Sequence, residues 1–193
     1  MRDELGAALL ILARGAIGAE LGRPADRADH PELDRPGATF VTLRMNDDLC
    51  GCIGTLEPRR KLRTDVEENA RRAAFSDPRF PPLSARDFDV VDVEVSLLGA
   101  SEPIACEGEE HLLAQLRPGV DGLIISYEFH RGTFLPQVWE SLPEPRSFLR
   151  ELKRKAGLPH DFWHPELEVA RYTVEKWTER NVAHLIAGAG PAA

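Results

Sequence analysis

The chain has 193 residues, a formal net charge of −8 and 29% charged residues. Its length is enough to bury a full hydrophobic core, and its composition is that of a globular protein. The acidic balance argues against nucleic acid as the main partner, because phosphate binding needs a basic surface. Three cysteines fit a reducing compartment better than a disulfide framework. Because we find no signal-peptide pattern and no apolar run of about 20 residues, we expect a cytoplasmic protein without membrane contact.

The first part of the chain has the hydrophobic pattern of two helices separated by a hairpin. Apolar residues recur at helical spacing from about Asp3 to Leu21 and again from Leu62 to Phe75. Between these helices, residues 38–43 and 49–55 are rich in β-branched and apolar residues, which predicts two strands. Residues 45–48 have turn composition, so we expect the two strands to pair as a hairpin.

The remainder of the chain is predicted to consist of short strands and helices. Residues 87–98 alternate most clearly, with apolar residues on one face and Asp92, Glu94 and Ser96 on the other. A polar strand face of this kind usually meets solvent, although it can also line a cleft. The other predicted elements are a helix at 107–116, a hairpin of strands 123–127 and 133–135, a helix at 146–156 and a strand at 167–174.

The order of these elements favours an α+β fold. Hairpins alternate with helices, without the regular strand–helix–strand succession of a doubly wound sheet. We therefore predict a mostly antiparallel sheet with packed helices, in one domain that spans residues 1–180. Residues 181–193 end in small residues, glycine and proline, and are predicted to form a flexible C-terminal tail.

The most unusual stretch is the second arm of the first hairpin, which contains Cys50 and Cys52. Residues two apart in a strand point to the same face, so we expect the two thiols side by side. Gly51 and Gly54 are typical of a bulge, a bend or the close approach of another group. Cys52 could be a functional thiol or a buried structural one. A metal site or redox pair with Cys50 is the weaker alternative, because no further Cys or His lies at zinc-finger spacing.

Two motifs carry a resemblance to a known family: Cys-Gly-Cys-Ile-Gly-Thr at residues 50–55 and Phe-Ser-Asp-Pro-Arg-Phe-Pro-Pro-Leu at 75–83. Together with further matches at 93–96, 119–123, 135–138 and 155–158, they resemble the AMMECR-domain family. In prokaryotes this family includes a component of the AmmeMemoRadiSam system. The match extends from the first helix to about Trp177. One departure is that Cys50 stands where the family pattern has arginine, whereas Cys52 matches the family cysteine.

The resemblance implies a compact α+β domain of two unequal lobes, with the cysteine motif at a groove between them. It also implies a modification system in which the partners are a Memo-like protein and a radical S-adenosylmethionine enzyme. The iron–sulfur and S-adenosylmethionine chemistry would belong to that enzyme, because this chain lacks the three-cysteine cluster motif. We therefore expect no cofactor and no metal in the chain itself. The resemblance supplies no established reaction.

The candidate catalytic residues are Cys52 and Glu94. A partly exposed thiol becomes a nucleophile when a nearby cation favours its thiolate form. Arg79, in a proline-rich loop, could supply that charge, and Glu94 could act as a base or orient the substrate. The candidate substrate-binding residues are Arg79, Ser96, Gln137 and Lys155, with Arg79 or Lys155 replacing the family arginine as an anion ligand.

Two hypotheses for the function remain open from the sequence. In the first, the chain binds a small-molecule substrate in a groove around Cys52, and Cys52 does covalent or acid–base chemistry there. In the second, the chain is a non-catalytic protein-interaction or adaptor module, and Cys52 only packs. The sequence does not decide whether the protein is an enzyme.

Overall fold

A computed structural model describes residues 2–24 and 27–186 of the chain. The described residues form an α+β fold of antiparallel sheets and packed helices, which confirms the predicted fold class. They divide into two compact units, each with its own hydrophobic core. The first unit contains the residues up to Leu98 together with those from Glu175 onward, and the second is Gly99–Val174. None of the described helices is both long and apolar enough to cross a membrane.

Short strands and helices follow one another along the chain. In order they are α1 (Arg2–Glu20), β1 (Pro36–Gly37), β2 (Thr39–Met45), β3 (Asp48–Gly54), β4 (Arg60–Lys61), α2 (Leu62–Phe75), β5 (Asp92–Leu98), β6 (Glu102–Pro103), α3 (Glu109–Leu113), β7 (Gly122–Tyr127), β8 (His130–Phe134), α4 (Pro145–Lys155), β9 (Glu168–Tyr172), β10 (Val174–Thr178) and α5 (Ala183–Ile186). Short 3₁₀ helices lie at Pro31–Asp34, Asp87–Asp89 and Pro136–Glu140.

The first unit is built on a four-stranded sheet in the order β10-β5-β2-β3. The β2–β3 hairpin turns through Asn46 and Asp47, both with positive φ, as a tight two-residue hairpin turn requires. Val41 and Val95 are fully buried in the core that α1 and α2 contribute to. The strand β3 lies at the edge of this sheet, so the backbone groups along its outer side have no partner strand among the described residues.

The second unit is built on a separate four-stranded sheet in the order β6-β9-β7-β8. Leu123 and Ile125 of β7 are fully buried in one core with Phe148 and Leu152 of α4. The helix α4 ends at Lys155, and Gly157 then adopts a φ of +79°, which only glycine takes readily. The predicted helix and its glycine cap are therefore confirmed.

Several predicted boundaries differ from the structure. The strand predicted at 87–98 begins only at Asp92, because Asp87–Asp89 forms a 3₁₀ helix, and the helix predicted at 107–116 is the shorter α3. The hairpin turn between β7 and β8 contains only Glu128 and Phe129, so β8 begins at His130, earlier than the predicted residue 133. The predicted strand 167–174 corresponds to β9, and a second strand, β10, follows at once in the other sheet. Residues 181–186, predicted to belong to the tail, form a turn and α5, with Val182 buried in the core. The rest of that tail lies outside the described residues.

A buried carboxylate fixes the start of α2 to the sheet. Asp65 is fully buried, and both of its oxygens accept hydrogen bonds. One oxygen accepts from the backbone N–H and hydroxyl of Thr39, at 2.8 and 2.7 Å, and from the Asn69 amide at 3.0 Å. The other accepts from the Thr55 hydroxyl at 2.7 Å and Arg60 Nε at 2.9 Å. This network therefore ties α2 to β2 and to the residue that follows β3.

We expect Asp65→Ala to lower the free energy of unfolding by about 3–5 kcal/mol, because it leaves several buried donors without an acceptor. Urea unfolding followed by circular dichroism measures this change. Asp34→Ala is the matched control, since Asp34 forms an exposed ion pair with Lys61 and its loss should be barely detectable. Equal losses in the two variants would contradict the role assigned to Asp65.

Candidate functional site

Cys52 belongs to a row of polar side chains that crosses the sheet of the first unit. Cys52 of β3 is paired with Thr42 of β2, which in turn is paired with Glu94 of β5. Directly paired residues of antiparallel strands share a face of the sheet. Lys176 of the neighbouring strand β10 extends the row, with its Nζ 2.7 Å from Glu94 Oε2. We call Cys52, Thr42, Glu94 and Lys176 the polar row.

The polar row differs from a solvated sheet face, because its side chains contact one another and part of it is buried. The Thr42 hydroxyl donates a hydrogen bond to Cys52 Sγ at 3.4 Å. Glu94 is only 8% exposed, whereas the Lys176 side chain is half exposed. The expectation that this strand face usually meets solvent is therefore wrong for Glu94 and also for Ser96, which is 7% exposed. A carboxylate buried to this extent needs its cationic partner.

The two thiols do not lie side by side as predicted. Leu43 pairs with Gly51 and Arg44 with Leu49, which leaves Cys50 unpaired as the extra residue of a β-bulge. Cys50 consequently packs against the hydrophobic core of the first unit, whereas Cys52 lies on the face of the polar row. Burial, and secondarily the negative charge of Asp87, raise the pKa of the Cys50 thiol.

The predicted close approach at the two glycines is confirmed. A Cβ at Gly51 would lie 2.2 Å from the backbone oxygen of Ala73 in α2. A Cβ at Gly54 would lie 2.2 Å from the Phe40 ring. Neither contact is compatible with a side chain, so these glycines let α2 pack against one face of β3 and Phe40 against the other.

The open edge of β3 is closed at Cys52 by side chains. Asp77 Oδ2 accepts the Cys52 backbone N–H at 2.9 Å, and Arg79 Nη2 donates to the Cys52 carbonyl at 2.9 Å. Arg79 also donates to both oxygens of Asp77, from Nε at 2.9 Å and Nη2 at 2.7 Å. We call Asp77 and Arg79 the edge clamp, because they bind both backbone groups of Cys52 that face away from the sheet.

The electrostatics of the edge clamp follow from its hydrogen bonds. The Arg79 guanidinium, followed by the backbone N–H of Cys52 and Arg79, holds the pKa of Asp77 well below its ordinary value, against the effect of burial. In return, Asp77 raises the pKa of Arg79, and interaction with the Cys52 side chain raises it further. Arg79 keeps a side-chain exposure of 55%, so its positive charge remains accessible beside Cys52.

The sequence-predicted site residues divide between the two units. The first unit brings together Cys52, Arg79 and Glu94, and it places Ser96 on the same strand face as Glu94. In the second unit, Gln137 is exposed on a 3₁₀ helix. Lys155 has a structural contact there: its Nζ donates to the Thr133 carbonyl at 3.0 Å.

Sequence reasoning missed three residues of the site. Asp77 lies within the Phe75–Leu83 motif without a predicted role, although Asp-Pro-Arg spacing is suited to a local carboxylate–guanidinium pair. Thr42 is predicted only as part of a strand, because nothing in its sequence context identifies its cross-strand neighbours. Lys176 was missed because its strand, β10, was not predicted.

No metal centre is evident among the described residues. The part of the chain that the structure describes contains no group of three or more Cys, His, Asp or Glu side chains placed to hold a metal ion. The cysteines are free thiols. Cys106, in the second unit, has a pKa raised by burial.

The fold and the site define an α+β protein with a clamped cysteine on an edge strand. A family model for AMMECR1 matches residues 10–177. The chain therefore belongs to the AMMECR1 family, as the resemblance predicted.

The relatives of the chain are similar over most of their length. A protein of Methanothermobacter thermautotrophicus is 40% identical over 190 residues, which cover 92% of this chain and 95% of the relative. A protein of Thermotoga maritima is 37% identical over 156 residues, covering 80% and 84%. Among solved structures, the uncharacterized protein PH0010 of Pyrococcus horikoshii is similar with a TM-score of 0.75 and 34% identity, covering 88% of this chain and 89% of that one.

We expect Asp77→Asn to lower the free energy of unfolding by about 2 kcal/mol at pH 7, because the ionised partner of Arg79 is lost. A carboxyl group whose pKa is lower in the folded than in the unfolded state stabilises the fold at pH values above its unfolded-state pKa. This stabilisation is lost as the pH falls towards the folded-state pKa. The difference in the free energy of unfolding between the parent and the variant should therefore shrink as pH falls below about 4. Urea unfolding at a series of pH values measures it.

The control for this prediction is Asp89→Asn, which removes an exposed carboxylate that pairs with Arg23. Its effect at pH 7 should be much smaller, because solvent screens an exposed pair. If the difference in the free energy of unfolding between the parent and Asp77→Asn stays constant from pH 7 down to about pH 3, Asp77 does not act through its charge.

Proposed function

We propose that this protein is a component of a modification system, with a Memo-like protein and a radical S-adenosylmethionine enzyme as partners. Within that system it binds a small-molecule substrate at the polar row and uses Cys52 as its reactive group. The family resemblance supports the choice of partners. The observation that carries the site assignment is the edge clamp, which binds both free backbone groups of a partly exposed cysteine.

The polar neighbours of Cys52 support a role for its sulfur. A thiol reacts as its thiolate, which donors and cations favour. Cys52 Sγ accepts a hydrogen bond from the Thr42 hydroxyl, and the Arg79 guanidinium donates to the backbone carbonyl of the same cysteine at 2.9 Å. A thiol that only fills space in a core would not need these polar neighbours.

The rigid support of Cys52 also favours a reactive role. Reactive groups must be held close to their productive geometry by the residues around them. Strand pairing with Thr42 fixes one side of Cys52, and the edge clamp fixes the other. The backbone of Cys52 is therefore held on both sides, and this limits where its side chain can lie.

Glu94 supplies the acid–base group of the proposed site. In the simplest step, the Thr42 hydroxyl, whose strand pairs with those of Cys52 and Glu94, turns from Cys52 Sγ towards Glu94, accepts the proton of the thiol and passes its own proton to that carboxylate. The sulfur forms a bond to a carbonyl carbon of the substrate, the π electrons move to the carbonyl oxygen, and that oxygen takes the proton from Glu94. Arg79 and Lys176 are half-exposed cations on either side of Cys52, Thr42 and Glu94, so a substrate with an anionic group is favoured.

We expect a small alkylating agent to label Cys52 before Cys50 and Cys106 at neutral pH. The raised pKa values of Cys50 and Cys106 reduce their thiolate fractions, whereas Cys52 has a hydroxyl donor and a cation beside it. Peptide mass spectrometry at short labelling times measures the order. A Cys52 that reacts only after the protein is denatured would favour the adaptor module over the reactive site.

We expect the protein purified natively with its Memo-like and radical-enzyme neighbours to retain a small molecule that mass spectrometry can identify. Cys52→Ser should abolish this retention, because the reactive sulfur is lost. Cys106→Ser is the matched control and should retain the molecule. If Cys52→Ser retains it unchanged, Cys52 is not the site. If both neighbours co-purify with every variant and no small molecule does, the protein is an adaptor.

A further inference from the structure

The second unit contains a cavity that the proposed function does not use. Its volume is about 520 Å³, which is within the range of sites that enclose small molecules. Ile124 and Ala170, paired across β7 and β9, line it, and so do residues 103–106, 165 and 167–169. Leu123 and Ile125 face the core that contains α4. Because successive residues of a strand point to opposite faces, Ile124 and Ser126 point to the other face of the sheet. The cavity therefore lies on the sheet face away from α4.

Three residues in register form the polar side of this cavity. Ser126 of β7 is paired with Glu168 of β9 on one side and with Arg131 of β8 on the other, and all three line the cavity. Neighbouring strands are about 4.8 Å apart, so the Ser126 hydroxyl and the Glu168 carboxylate can contact the same ligand group. The cavity thus has an apolar surface at Ile124 and Ala170 and a hydrogen-bonding surface beside it.

The lining of this cavity contains one carboxylate, that of Glu168, and one guanidinium, that of Arg131. Arg131 is already engaged in a contact within the chain. Glu168 is exposed, and its carboxylate makes no hydrogen bond or ion pair with any residue that the structure describes. The exposed Glu107 follows the lining residue Cys106 and adds a second carboxylate nearby, whereas Glu102 lies 3.9 Å from Arg171 Nε and Glu166 lies 4.0 Å from His164 Nδ1. Cys106 adds no charge, because burial raises its pKa.

We propose that this cavity binds a small organic cation, with a primary ammonium group at Glu168 and Ser126 and an apolar body against Ile124 and Ala170. An ammonium group donates three hydrogen bonds, which suits one carboxylate and one hydroxyl on adjacent strands. The apolar body gains free energy by leaving water at the two aliphatic residues. Binding at this cavity is independent of the proposed chemistry at Cys52.

The test uses three probes of the same shape: 3-methylbutylamine, 3-methylbutanol and 3-methylbutanoate. Each is titrated into the full chain while backbone amide shifts are followed by NMR. We expect the amine to shift the amides of Ser126, Glu168 and Ala170 in a saturable way. The alcohol should bind about tenfold more weakly, and the carboxylate should not bind.

Two variants test the residues and one serves as the control. Glu168→Gln should weaken amine binding about tenfold without changing the affinity for the alcohol, because only the charge is lost. Ala170→Phe should remove binding of both probes by filling the cavity. Glu140→Gln changes an exposed glutamate that does not line the cavity and should bind the amine normally.

Three results would overturn the inference. They are equal affinity for amine and carboxylate, unchanged amine affinity in Glu168→Gln, and no saturable shift of the three amides in the parent. Spectra that keep their dispersion outside the cavity show that each variant is folded. Cys52→Ser should bind the amine normally, so failure at this cavity and failure at Cys52 are distinguishable.

Discussion

The hydrogen bonding of Asp77 and Arg79 to the backbone of Cys52 is the constraint on which the candidate site depends. An edge strand leaves alternate N–H and C=O groups without a partner, and such groups tend to pair with other chains. Here a carboxylate and a guanidinium, two residues apart in a proline-rich loop, take the place of a further strand at one position. The same pair also places a positive charge beside Cys52, because the Arg79 side chain remains about half exposed while it binds the strand edge.

The clamp acts together with the close packing around β3. Gly51 lets a backbone carbonyl of α2 approach the strand, and Gly54 accommodates the ring of Phe40 on the other face. The bulge at Cys50 then turns one thiol towards the core and leaves the other on the polar row. Because the strand is held on both faces and at its edge, Cys52 has little conformational freedom. The two glycines are therefore required by the close packing on the two faces of the strand.

The sequence predicted the elements better than it predicted their surroundings. Helices α1, α2 and α4 and the β2–β3 hairpin have strong periodicity or turn composition, and they were confirmed. Strand β10 was missed because its partner β5 is distant in sequence and Val174–Thr178 carries charged residues. Alternation correctly placed Glu94 and Ser96 on one face, but it cannot show how deeply that face is buried. Likewise, spacing could not reveal the bulge at Cys50, which depends on the register with β2.

The departure from the family pattern at position 50 has a structural interpretation. In this chain the residue at that position is the extra residue of a bulge, and it packs against the apolar core of the first unit. A long cationic side chain there would have to extend past apolar neighbours to reach water. A neutral thiol fits this environment directly, and the raised pKa of Cys50 keeps it neutral. The cation that remains beside Cys52 is Arg79, which is held by Asp77 and does not depend on the residue at position 50. The replacement therefore removes one positive charge from the strand while leaving the charge that the edge clamp supplies.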